Sequence, residues 1–361
     1  MDDFFSDDID PETRRGRGAT RNHAGRFEPH TRHRMDDGWE AQDQTPVATQ
    51  VYTDHPRRII TRNQSPDVPF DRSINPYKGC EHGCVYCFAR PTHTYLGLSA
   101  GLDFESRIFT KPNAAALLEK ELARPGYVPA TMAIGTNTDP YQPLEKQHRI
   151  MRQVLEVLDA WNHPVAIVTK GALVTRDTDI LGRMARRGLA KVAISVTTLD
   201  AKLSRLLEPR AAAPQVRLRA IGALARAGVP TGFMMAPIIP ALNDHEIEKI
   251  VETCASAGAS WTSSVVLRLP HEVSPLFRDW LAEHYPNRAH RIMAQVREMH
   301  GGKDYDAEWG KRMRGEGVYA NLIARRYEAA MKRHGLRRRI APLDCSRFAR
   351  PPRKGDQFTL F

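Results

Sequence analysis

The sequence predicts an α/β chain: a partial (β/α)6 TIM-like barrel, preceded by a disordered N-terminal arm and followed by a basic, mainly helical C-terminal module. Three observations carry this. From about residue 70 to residue 267, short β-branched runs alternate with amphipathic stretches, the pattern of parallel βαβ units with right-handed crossovers. About six such repeats can be counted, fewer than the eight of a closed barrel. The chain has 361 residues and 41% hydrophobic content, enough for one large core, and barrels of this kind use about 200 to 250 residues as a single domain.

The elements follow in order. Residues 1–65 are rich in Asp, Arg, Gly, His and Thr and poor in large apolar residues, so they bury too little surface to offset chain entropy and are expected to be disordered. The core is expected over 66–270, opening with a strand just before Cys80. Strands are then predicted near Thr131–Gly135 and at Val165–Thr169, Lys191–Val196, Thr231–Pro237 and Thr262–Leu267. Between them, helices are predicted near Leu144–Trp161, Thr178–Arg187, Pro214–Ala227 with Pro214 in its first turn, and Asp244–Ala257. A helical module over 271–340 holds helices near Ser274–Glu283, Asn287–His300 and Val318–His334, and 341–361 reads as a flexible tail. Within the module Tyr305, Trp309 and Tyr319 are read as packing residues that have the alternative of stacking on bases.

Composition narrows the function classes. No apolar run approaches the ~18 residues that span a bilayer. Residues 2 to 12 carry acids and no basic group, the reverse of a secretory or transit leader, so a cytoplasmic location is expected. Of the net charge of +11, nearly all lies in residues 286–361, where 18 basic residues face 8 acidic ones. Such clustered cations can neutralise phosphates, although a merely solvated tail accounts for the charge equally well.

The chemistry is concentrated in Asn75-Pro-Tyr-Lys-Gly-Cys-Glu-His-Gly-Cys-Val-Tyr-Cys-Phe-Ala-Arg90, where Cys80, Cys84 and Cys87 have C-x3-C-x2-C spacing. A loop of this length can turn three thiolates onto three corners of an iron–sulfur cube and leave the fourth iron without a protein ligand. Open coordination is the mark of catalytic metal sites. Zinc, with His82 or His93 as fourth ligand, is the competing assignment, although the paired C-x2-C knuckles usual for zinc are missing. Five cysteines in a chain with no leader favour a metal or redox role over disulfides.

This run resembles the signature of the radical SAM superfamily. The resemblance, over about Ser73 to Leu269, implies a [4Fe-4S] cluster whose unique iron chelates S-adenosylmethionine and cleaves it reductively to a 5′-deoxyadenosyl radical. It also implies a (β/α)6 core with the cluster at the mouth, and an electron donor such as flavodoxin or ferredoxin. Relatives bind the amino group of the cofactor through a Gly-Gly-Glu-like turn after the second strand; here Gly135-Thr-Asn-Thr-Asp-Pro-Tyr141 stands there, with Asn137 and Asp139 as acceptors, though ordinary turn chemistry explains the same residues. The position of Tyr86 is that of an adenine-contacting aromatic, although a ring beside a cluster also shields it from water. Ser195, Thr197 and Pro237, at the ends of the fourth and fifth strands, are the implied ribose and adenine contacts.

Leu207-Glu-Pro-Arg-Ala-Ala-Ala-Pro214 and the segments around the cysteines are similar to the SplB-type, spore photoproduct lyase-like branch, which implies DNA repair or modification. Glu208 and Arg210 are read either as contacts to a carboxylate of substrate or cofactor, or as a surface ion pair. The hydrogen-donating cysteine of that branch is not visible: Cys254 falls on a helix core stripe with Ile247, Ile250 and Val251, and Cys345 lies in the basic tail. The last five residues, with Gln357, Leu360 and Phe361, resemble the peptide that docks bacterial repair proteins on the DNA polymerase sliding clamp. The competing function is a non-catalytic iron–sulfur or zinc protein associated with DNA and the clamp.

Overall fold

The computed structural model describes residues 14–28, 46–338 and 340–352, together with the backbone of a short antiparallel pairing of Phe5–Ser6 with Arg34–Met35. Its centre is a sheet of six parallel strands in chain order: β1 (Arg72–Ile74), β2 (Met132–Ile134), β3 (Val165–Thr169), β4 (Ala190–Ser195), β5 (Thr231–Ile238) and β6 (Trp261–Val266). The four inner strands, β2 to β5, are mostly apolar and buried because both faces are covered, whereas the outer strands β1 and β6 carry polar residues such as Arg72, Ser73, Ser263 and Ser264. The barrel stays open. Strand Ile60–Arg62 pairs antiparallel on the free edge of β1, and Arg337 bridges Trp261 on the free edge of β6, so neither edge is left as a bare ladder.

Helices α1 (Ala114–Leu122), α2 (Ile150–Ala160), α3 (Thr178–Arg186), α4 (Pro214–Arg226) and α5 (Ile247–Ser256) cross between successive strands. Each turns an apolar stripe to the sheet; on α2 the stripe is Ile150, Met151, Val154, Leu155 and Leu158. The helix expected over 144–161 is in fact two. A single turn, Glu145–His148, ends at Arg149 in left-handed conformation, and the Glu145 carboxylate accepts from Ile150 N and Met151 N at 3.0 and 3.1 Å, satisfying the first free amides of α2. Helix α1 has no counterpart in the sequence-based reading.

The C-terminal helices α6 (Val273–His284), α7 (Pro286–Met299) and α8 (Gly317–Arg333) lie within one residue of expectation. They are not a separate body. Phe277, Trp280, Leu281, Ile292, Met293 and Val296 share one core with Val85, Tyr86, Leu203 and Leu207, so α6 and α7 back the cysteine loop. The tail returns to the opposite end of the barrel: Phe348 packs on Trp161, Tyr127 and His163, and Asp344 N donates to Gly188 O at 3.0 Å, all at the N-terminal ends of strands. No helix among the described residues is long and apolar enough to cross a membrane.

Two stretches of the expected arm lie among the described residues, and both pack on the barrel. Gln50–Thr53 pairs with Arg107–Thr110, which pairs in turn with Tyr77–Lys78 just before the first cysteine. Residues 17–19 cover the cysteine loop. Their composition is polar because their backbone and guanidinium groups are spent on buried hydrogen bonds rather than on apolar burial.

At the C-terminal ends of β4 and β5, Asn243 is fully buried. Its amide donates to Thr197 O at 2.8 Å and Pro237 O at 3.1 Å and accepts from Ile239 N at 2.6 Å, tying the two strand ends together. Asn243→Ala strands three buried backbone groups, and a loss of about 3 kcal/mol is expected in urea unfolding. Stability within ~0.5 kcal/mol of the parent would show that these bonds do not hold the rim.

Candidate active site

The loop after β1 carries Cys80, Cys84 and Cys87, all free, the first two buried and the third partly open. Three sets of contacts fix its shape. From beneath comes Arg90, fully buried, whose guanidinium donates to Cys84 O at 2.9 Å, Ala100 O at 3.0 Å, Gly101 O at 2.9 Å and Gly83 O at 3.3 Å. The carboxylate of Glu105, fully buried as well, neutralises it. Glu105 accepts in addition from Gly18 N and Ala19 N, each at 2.8 Å, and Arg17 donates to Glu105 O at 2.7 Å. Only glycine fits at position 18, where a Cβ would stand 1.8 Å from Gly83 O. Gly83 has a φ of 67°, and a Cβ there would meet the Glu105 carboxylate at 2.6 Å.

The second set is the turn after β2. Asn137 N donates to Asn75 Oδ1 at 3.0 Å, Thr138 Oγ1 to Tyr77 O at 3.0 Å, and buried Gln142 spans Gly79 O and Glu81 N on either side of Cys80. Asp139 receives Thr169 Oγ1, Lys170 N and Tyr141 N at 2.5, 2.7 and 2.9 Å, with His82 Nδ1 at 3.3 Å. Burial alone would raise its pKa, but His82 and these donors outweigh burial and hold the carboxyl far below the usual range. Asp139 therefore acts first as a brace between the cysteine loop and β3.

The third set lies above. Val85 N donates to Leu207 O at 3.1 Å. The hydroxyl of Tyr86 donates to Glu208, which also receives Thr197 Oγ1 at 2.7 Å and pairs with Arg217 of α4. Burial works against the Glu208 carboxylate, yet Arg217 and Lys170 outweigh it and bring its pKa down to about 2. Glu208 is thus a buried anion, neither a surface partner nor a group facing solvent. Arg210 pairs instead with Glu81 at 3.1 Å.

All the sequence-predicted cofactor residues stand on one rim, the C-terminal ends of the strands: Asn137 and Asp139 after β2, Ser195 and Thr197 at β4, Pro237 in β5 and Tyr86 in the cysteine loop. Thr197 is linked to Tyr86 at 3.4 Å and through Asn243 to Pro237. Sequence reasoning missed Arg90, Glu105, Gln142, Arg217 and Asn243, each of which has a partner on another element of the fold. Lys170 was missed too; its ammonium lies 5.7 Å from the centre of the Tyr86 ring.

The thiols fit a cluster. Burial pushes Cys84 up to about 12, with Glu208 and Cys87 adding to the rise and Lys170 and Arg217 opposing it, so the thiolate form needs a further positive partner such as iron. Among the described residues no three His, Cys, Asp or Glu side chains converge on one metal ion; a cubane, by contrast, puts each thiolate on a different iron. Of the two histidines considered as a fourth zinc ligand, His82 faces Asp139 through Nδ1 and His93 faces Arg107 O through Nε2 at 2.9 Å, and among the described residues neither converges with the cysteines on one metal position. Cys254 is buried in α5, and Cys345 lies with the segment on the opposite end of the barrel. Gln357, Leu360 and Phe361 fall outside the described residues.

A family model described as the Radical SAM superfamily matches residues 74–254. An uncharacterized protein of Mycobacterium tuberculosis is 37% identical over 235 residues, 64% of this chain and 68% of the relative. One from Methanocaldococcus jannaschii is 25% identical over 214 residues, 59% of this chain and 76% of the relative. Spore photoproduct lyase complexed with dinucleoside spore photoproduct has a TM-score of 0.58 at 16% identity, over 80% of this chain and 81% of that one. A mutant of the same enzyme with bound AdoMet and dinucleoside spore photoproduct has a TM-score of 0.53 at 18% identity, over 79% and 77%. At such identities the likeness is one of fold.

Arg90→Ala leaves Glu105 as a buried, uncompensated anion and releases four loop carbonyls; a cost of about 3–5 kcal/mol is expected. The iron bound per chain after anaerobic reconstitution should fall well below the parent value, whereas Lys249→Ala, which breaks an exposed pair, should leave it unchanged. Equal iron content in R90A and the parent would contradict the proposed role of this pair.

Proposed function

The chain belongs to the radical SAM superfamily and is an enzyme of it, and on that premise we propose that it binds a [4Fe-4S] cluster on Cys80, Cys84 and Cys87, cleaves S-adenosylmethionine reductively, and acts on nucleic acid, DNA in preference. The observation that carries this reading is the cysteine loop itself. Three free thiols on one short, rigidly braced loop at the C-terminal ends of parallel strands suit an open-iron cluster.

A cluster held by Cys80, Cys84 and Cys87 would supply the one-electron reduction that cleaves the sulfonium of S-adenosylmethionine and so provides a hydrogen-abstracting 5′-deoxyadenosyl radical. The residues of the chain do the rest. Asn137 and the backbone carbonyls of its turn accept from the cofactor ammonium, while Asp139, already serving four donors, keeps that turn in place. Ser195 and Thr197 line the ribose side, Pro237 offers backbone and apolar contact to adenine, and Tyr86 closes the cluster off from water. Glu208, Arg217 and Asn243 hold those strand ends still, which keeps the reacting groups aligned.

Nucleic acid is supported by the basic stretch over 286–361 and by the fold shared with an enzyme whose solved complex contains a dinucleoside spore photoproduct. The cytoplasm, with flavodoxin or ferredoxin as electron donor, supplies the reducing conditions a cluster needs. The terminal Gln357, Leu360 and Phe361 would dock on the DNA polymerase sliding clamp, with two apolar anchors and an amide that orients them.

Reconstituted anaerobically and given dithionite and S-adenosylmethionine, the parent chain should release 5′-deoxyadenosine and Cys84→Ala should release none; no product from a protein with a filled four-iron site would favour a scaffold role. Deleting residues 357–361 should abolish capture by immobilised clamp, and undiminished capture would remove that partner.

A further inference from the structure

Beside the third cysteine stands a pair that the mechanism does not use. Phe88, directly after Cys87, is 42% exposed although it is a large apolar ring. The guanidinium of Arg268 lies over it, 3.9 Å from the ring centre. Arg268 follows the C-terminal end of β6, so both residues belong to the rim that carries the cofactor candidates.

Arg268 has an unusual balance of contacts. It is partly buried, and burial is the largest influence on its pKa, lowering it; Tyr305, Cys87 and Asp67 pull the other way. Yet among the described residues its guanidinium makes no hydrogen bond and no ion pair. Neighbouring Arg312 shows the contrast: it pairs with Asp67 and donates to Ser65 Oγ at 2.6 Å. A guanidinium stacked by its face keeps its edge donors free in a planar fork, and such a fork matches the paired oxygens of a phosphate or carboxylate. A partly desolvated cation with no anion in direct contact costs stability, and a ligand that supplies the anion offsets that cost.

We propose that Arg268 and Phe88 form a substrate subsite at the barrel mouth, in which the guanidinium fork binds a backbone phosphate of an unpaired DNA strand and Phe88 supports the adjoining base. This deepens the nucleic-acid reading above and rests on it. An unpaired or extruded nucleotide is required because a base stacked inside a duplex does not offer its face to Phe88. Stacking on aromatic rings tolerates any base, so the pair positions the strand rather than reads its sequence.

The test is anisotropy of a fluorescein-labelled single-stranded DNA 20-mer with the reconstituted full chain, titrated across salt. The parent should bind, and Arg268→Ala should weaken binding about tenfold and reduce the slope of log K against log salt by about 0.7, one single-strand phosphate. Arg268→Lys should keep the slope and lose part of the affinity, while Phe88→Leu should lose affinity at unchanged slope. Should R268A fail to fold, R268K and F88L carry the comparison. Unchanged affinity and slope in all variants would overturn the subsite while leaving nucleic-acid binding intact. No binding by the parent would instead sink the nucleic-acid reading. A loss confined to S-adenosylmethionine binding, or to an acidic peptide probe, would overturn the proposal by assigning the fork to another anion.

Discussion

The site depends on one buried ion pair, Arg90 with Glu105. Neither group reaches water, and such a pair is a poor source of net stability because desolvation consumes most of the attraction. Its value here is directional. Arg90 spreads its donors over four backbone carbonyls, two of them in the cysteine loop, and Glu105 collects two amides from the N-terminal stretch. A hydrophobic replacement of the same volume would fill the space and lose the geometry. The pair converts a loop rich in glycine, otherwise costly to order, into a rigid cradle for three thiols.

Around that pair the ends of the chain become parts of the site. Gly18 lies against Gly83, and α6 and α7 close on Val85 and Tyr86. The turn after β2 and the Glu208–Arg217 pair complete the enclosure, so the loop is held by four regions far apart in sequence. The arrangement explains why a residue such as Asp139 carries so many hydrogen bonds: rigidity of the loop and placement of the rim are the same task, performed by one network.

Local patterns made much of this legible. The C-x3-C-x2-C spacing lies within eight residues, and the alternation of strands and amphipathic helices is a short-range signal, so the loop, five of the strands and the C-terminal helices follow from the sequence directly. What was hidden depends on long-range pairing. Nothing near Arg90 shows that its partner stands fifteen residues on. Glu208 reads as a surface acid until α4 brings Arg217 against it. Helix α1 escaped because its alanine-rich start gives little amphipathic contrast, and the split before α2 depends on a side-chain cap at Glu145 rather than on periodicity. The N-terminal stretch looked too polar to fold because composition counts apolar burial and overlooks polar groups that satisfy one another.

In the proposed function the braced loop presents three thiolates and leaves one metal position open. Mössbauer spectroscopy of iron-57-loaded, oxygen-free protein tests it most directly. A four-iron centre is expected in which one iron differs from the other three and shifts when S-adenosylmethionine is added. Spectra without a four-iron centre, or a four-iron centre in which no single iron responds to the cofactor, would contradict it.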